Sequence, residues 1–109
     1  MDSSRRDAIG STDVDTPEAA AQLDRFVLDL AERVDLLQDA DTAGDLDTLV
    51  RLASQLIDQA RAVGHEALAG VATRLAEVAR QGKAEDGHAG LVELTELAQR
   101  VRRGHRGAI

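Results

Sequence analysis

Apolar residues return at three- and four-residue steps along four separate stretches of this chain. In the first, Leu23, Phe26, Val27, Leu30, Val34 and Leu37 form one stripe, and Asp24, Arg25, Asp29, Glu32, Arg33 and Asp35 occupy the other faces. That period belongs to an amphipathic helix. Thr16-Pro17-Glu18 marks its start: Thr16 can cap, Pro17 sits where its missing N–H costs nothing, and Glu18 faces the positive end of the helix dipole. Ala43-Gly44 marks its end. The second stripe, Leu46, Leu49, Val50, Ala53, Leu56, Ile57, Ala60 and Val63, runs from a capping Asp45 to Gly64. The third, Leu68, Val71, Ala72, Leu75, Val78 and Ala79, follows a short link at Gly64-His65 and stops at Gly82. Lys83 to Gly87 reads as a polar loop, with Asp86 capping a fourth helix. Its stripe is Leu91, Leu94, Leu97, Ala98 and Val101, with Val92 off the line and Gly104 at the close.

Four capped helices joined by short links predict an all-α fold, an antiparallel up-down-up-down four-helix bundle. The structural competitor is a coiled-coil hairpin that dimerises into a bundle; separate caps and stops on four segments count against it. Residues 1–15 are polar and without period, and read as a disordered arm. Residues 16–104 form the bundle domain and 105–109 a short tail.

Composition narrows this further. The chain has 109 residues, enough for one small domain, and Phe26 is its single aromatic residue. A core of Leu, Val and Ala suits close-packed helices. Cysteine is absent, which excludes disulfides and thiolate metal sites. The first fifteen residues hold no apolar run of signal-peptide length, and no stretch is apolar enough to span a bilayer, so the expected setting is soluble and cytoplasmic, with no membrane partner. The net charge of −7 is uneven: residues 1–63 carry fourteen acids against six bases, and residues 64–109 six against seven. An acidic first half argues against nucleic acid as a partner, since that affinity requires a basic surface. The basic cluster Arg100, Arg102, Arg103 and Arg106 complements the negative end of the last helix.

Little in the sequence spells out catalysis. There is no Gly-rich phosphate loop, no zinc spacing and no His-Glu-x-x-His pattern, so no cofactor or metal is expected. Glu93 and Glu96 lack a histidine partner at di-iron spacing and read as solvated. His65 and His88 fall near helix starts and His105 in the tail; an exposed role is the default for each, and no enzyme activity is assigned.

The segment from Phe26 to Gly82 resembles the histidine-containing phosphotransfer (Hpt) domain of two-component phosphorelays. FVLDLAERVDLLQDA is followed by the turn and cap AGDLDTLVRLA, then by a helix with Leu-Ala-x-x-Leu ending at Val63-Gly64, then by LAGVATRLAEVARQG. The family's signature is His-x-Leu-Lys-Gly with a further glycine six residues on. Laid on this chain, the histidine position is Ser54, the leucine is kept as Leu56, the lysine becomes Ile57, the first glycine becomes Asp58, and the later glycine is kept as Gly64. A glutamate common on the family's third helix falls on Ala76. Scaffold positions match and chemical positions do not.

The resemblance therefore implies a degenerate member that binds receiver or histidine-kinase domains without carrying phosphate. A serine hydroxyl needs a positioned base and forms a far more stable ester than the phosphoramidate of imidazole. Asp58 is the one wheel neighbour able to accept a proton, and it would repel a phosphoryl group. The second helix then offers Val50, Ser54, Ile57, Asp58 and Arg61 as a docking face. The same residues also fit a solvated helix side, with Asp47/Arg51 and Asp58/Arg61 as intrahelical pairs and Ile57 completing the core. Two further readings stay open: a structural or dimerising bundle unrelated to phosphorelay, and a phosphocarrier that uses His65 or His88.

Overall fold

A computed structural model describes residues 17–107, and every element in that range is a helix. They are α1 (Pro17–Ala43), α2 (Leu46–Ala62), α3 (Glu66–Arg80) and α4 (Ala84–Gly107). The expectations for residues 1–15, for Thr16 and for the last two residues of the tail fall outside the described residues.

The three links share one construction. Gly44, Gly64 and Gly82 each take a left-handed φ, at 71°, 77° and 77°. The residue after each glycine donates its N–H back five positions: Asp45 to the Ala40 carbonyl, His65 to Ala60, and Lys83 to Val78, at 2.9, 2.8 and 3.0 Å. Each glycine donates back three positions, to Asp41, Arg61 and Ala79. This Schellman pattern satisfies the carbonyls that a helix end leaves open. The same residue that closes one helix then opens the next. Asp45 accepts from the Thr48 backbone N–H at 3.1 Å and from its hydroxyl at 2.6 Å. His65 accepts from the Leu68 N–H through Nδ1 at 3.4 Å.

The third link departs from the sequence expectation. Lys83–Gly87 is not a loop, and Asp86 is not a cap: α4 already begins at Ala84. The Gly87 N–H bonds to the Lys83 carbonyl at 2.8 Å, so Glu85 and Asp86 lie in the first turn, where their charge favours the exposed N–H groups. At the other end α4 continues through Gly104 to Gly107. A helical glycine costs about 1 kcal/mol relative to alanine, and the last turn is held by His105 Nε2, 2.9 Å from an Asp24 carboxylate oxygen of α1.

The four helices close a ring in which α1 packs on α2, α2 on α3, α3 on α4 and α4 back on α1. One core fills it. Leu30, Leu37, Leu49, Leu56, Leu68, Leu75 and Leu94 are the largest side chains that are fully buried. Alanines Ala53, Ala69, Ala72 and Ala76 are buried beside them, which lets helix axes approach closely. Gly90 of α4 faces α3, where a Cβ would stand in ordinary contact with Leu75 at 3.6 Å. The predicted stripes supply most of this core. Leu23, Leu46, Val50, Ile57, Val63, Leu97 and Val101 form its half-buried border. No buried polar or charged residue is found among the described residues.

Candidate functional site

α2 carries the five residues singled out by sequence. Leu49, Ala53, Leu56 and Ala60 turn its apolar face inward. Val50, Ser54, Ile57 and Arg61 then fall on the flank toward α3, and Asp58 points further outward. Val50 and Ile57 are half-buried and pack against the core. Asp58 and Arg61 are exposed. Ser54 is half-buried at mid-helix, and its Oγ accepts from Nη2 of Arg80, the last residue of α3, at 3.4 Å.

That contact decides what Ser54 has available. A serine becomes a nucleophile when an imidazole or carboxylate takes its proton. Here the neighbour is a guanidinium, a donor only. Asp58 makes no hydrogen bond to it. Ala76, laid on the family's glutamate, is 1% exposed and belongs to the core. Arg80 stands 26 positions from Ser54, and no local spacing announces the pairing.

A second set of side chains gathers where α1 meets α4. His88 Nδ1 lies 2.7 Å from an oxygen of Asp41, with the imidazole 66% exposed and the carboxylate 16%. Nearby, Gln38 Nε2 donates to Thr95 Oγ1 at 3.2 Å, and that hydroxyl donates to the Leu91 carbonyl at 2.8 Å. These residues, with Val92 and Glu96, line a groove of about 550 Å³. With Nδ1 engaged by the carboxylate, the other ring nitrogen of His88 has no partner among the described residues. Asp24 and His105 repeat the pairing at the far end of the same seam. The sequence put the three histidines near helix ends but gave no sign of their partners: His88 and Asp41 are 47 positions apart.

A smaller cleft of about 240 Å³ lies between α1 and α2, with Phe26, Arg33, Gln59 and Val63 among its walls. Arg33 Nε and Gln59 Oε1 are both covered and unpaired there. None of the five α2 residues lines either groove. Among the described residues no three His, Cys, Asp or Glu side chains gather as metal ligands would, and no helix is long and apolar enough to cross a membrane. The Thr48 hydroxyl, then the Thr48 backbone N–H, hold the Asp45 carboxyl below the usual range.

Comparison with known protein families, with curated proteins and with solved structures gives no match to this chain.

Proposed function

We propose that this chain is a signalling module, an antiparallel up-down-up-down bundle of the Hpt kind. In this reading it binds receiver or histidine-kinase domains in the cytoplasm and carries no phosphate on α2. The observation that supports the reading is the contact of Arg80 with Ser54. At the position where the resemblance would put a reactive imidazole, the hydroxyl meets a cation and no base. Moving a phosphoryl group on and off within a relay requires a nucleophile that is neutral and basic near pH 7, and this hydroxyl is neither activated nor readily reversible once esterified. What the α2 flank retains is a surface: Asp58 and Arg61 in solvent beside the partly open Val50 and Ile57. An apolar centre with a charged rim is the ordinary make-up of a modest protein interface.

The test is titration of the full chain against receiver and kinase domains from the organism that encodes it, with Ile57→Glu as the control variant. Binding that the variant loses supports the reading; no binding to any of these domains sinks it. A phosphotransfer assay run alongside should leave Ser54 unlabelled. Label that appears on the wild type and vanishes on Ser54→Ala overturns the second half of the proposal.

One contact favours a second reading, a phosphocarrier that uses His88. A carboxylate on Nδ1 fixes the tautomer that leaves Nε2 with its lone pair outward. Acid-labile, base-stable label lost in His88→Gln would replace the first reading with this one.

A further inference from the structure

α4 differs from the other helices in how its charge is sorted. From Ala84 to Glu96 it holds Glu85, Asp86, Glu93 and Glu96 and neither Lys nor Arg; from Leu97 to Gly107 it holds Arg100, Arg102, Arg103 and Arg106 and no acid. The helix dipole accounts for part of this, because acids favour the first turn and bases the last. Its influence fades within one turn. Glu93 and Glu96 lie in the third and fourth turns, and Arg100 is two turns from the end. An intrahelical Glu96–Arg100 pair would be the next explanation, but the two form no ion pair in the structure. Arg100 and Arg103 have no ion-pair partner among the described residues, whereas Glu93 is already held by Arg74 at 3.0 Å.

Four of the sorted charges also share a face. At about 100° per residue, Glu85, Val92, Glu96 and Arg103 fall within about 40° of one another, opposite the fully buried Leu94, and Arg100 lies just beside them. All five are exposed. Val92, 43% exposed, is one of three large apolar side chains left in solvent among the described residues, and it forms the lip of the α1–α4 groove. Contacts to α1 run through His88 and Thr95, and contacts to α3 through Gly90 and Glu93, so this stripe is the side of α4 that no other helix covers.

We infer that this face is a self-association surface, and that its occupant is α4 of a second copy of the same chain packed antiparallel about a two-fold axis. The argument is charge complementarity. A parallel pairing sets acid on acid and base on base. An antiparallel pairing sets the acidic half of each helix on the basic half of the other, twice by symmetry. The register that places Glu96 opposite Arg100 of the second copy also places Val92 opposite Gly104. Gly104, about 120° round the helix from Val92, carries no side chain to obstruct the valine. In that register residues 89–107 of the two helices overlap, a single-helix face about 28 Å long, which is a small contact beside a standard interface. The dimer is therefore weak, with a dissociation constant in the tens to hundreds of micromolar, and salt weakens it further.

Sedimentation equilibrium of the full chain, from about 10 to about 500 µM and at low and high salt, reads this directly. The wild type should pass from monomer to dimer over that range, and high salt should shift it back. Glu96→Arg and Arg100→Glu should each lose self-association by at least about tenfold, since each puts like charges in register. Mixed together, those two variants should associate with each other, because one then supplies two bases and the other two acids. Circular dichroism checks that each keeps its helices. A wild type that stays monomeric at the highest concentration and low salt overturns the inference. So does a dimer that both variants leave unchanged, or a pair of variants that fail alone and also fail when mixed.

Discussion

Arg80 of α3 reaches across to α2 and donates to Ser54 at 3.4 Å, so the half-buried hydroxyl at mid-helix meets a cation from the neighbouring helix. Two consequences can be measured. The bond is long and partly solvated, so Ser54→Ala should change stability by less than about 0.5 kcal/mol in urea unfolding. Writing the Hpt signature back onto the scaffold should do much more. The triple variant Ser54→His, Ile57→Lys, Asp58→Gly should take acid-labile phosphate from a phosphorylated receiver if this bundle presents α2 as an Hpt domain does. The glycine costs about 1 kcal/mol of helix stability, so retained helicity must be verified first. A folded triple variant that stays unlabelled argues against the resemblance itself.

The cap on α2 should show in the acid limb of stability. The Thr48 hydroxyl and backbone N–H bond to the ionised carboxylate of Asp45 and hold its pKa below the ordinary value of 3.8. A carboxyl lowered on folding contributes fully above its unfolded value and loses that contribution as pH falls toward its folded one. Asp45→Ala should therefore lower the Tm by a few degrees at neutral pH. The gap between wild type and variant should narrow as pH drops through and below the usual carboxylate range. A gap that stays constant with pH would show that the charge of Asp45 contributes nothing to the cap.

Two leucines give the contrast between core and surface. Leu94 is fully buried where α4 meets the core, and Leu28 is 78% exposed on the outside of α1. Leu94→Ala should cost about 2–5 kcal/mol, a large share of the total for a domain of this size. Leu28→Ala should stay within about 0.5 kcal/mol. Equal effects in chemical denaturation would mean that the packing of the bundle is wrong.

Gly64 joins α2 to α3 with φ at +77°, where an L side chain is strained even though a Cβ there meets no atom within 4 Å. Gly64→Ala should destabilise by about 1 kcal/mol through the backbone alone. The equivalent change at helical Gly104, which is equally open, should be neutral or stabilising.

How much of this was legible in the sequence follows from the range of each interaction. The stripe Leu49, Ala53, Leu56 and Ala60 states its helix because the period is written within a few turns. The cap at Asp45 can be read because donor and acceptor are three residues apart; His65 reads only as a residue near a helix start, and its capping Nδ1 is a finding of the structure. The start of α4 is not legible in the sequence, because a helix without a side-chain cap has no residue to announce it; Glu85 and Asp86 both favour its first turn as charges, and the capping pattern at Asp86 is not used. Gly104 looked like a stop, but a glycine ends a helix only when the chain turns left-handed there, and His105 on Asp24 keeps the last turn wound. The candidate site was legible only as a position. That Ser54 lies on the α3 flank depends on where α3 packs, and its partner Arg80 comes from that packing.

The sequence by itself determined four helices, most of their apolar faces and the Asp45 cap on α2, because helix period, capping and glycine conformation are local properties of the chain. Tertiary structure alone decided which helix lies beside which, and with it the long-range contacts Arg80 on Ser54, Asp41 on His88 and Asp24 on His105, and the uncovered face of α4. Those pairings join residues dozens of positions apart, and they exist only because burial of one shared leucine and alanine core closes the four helices into a ring.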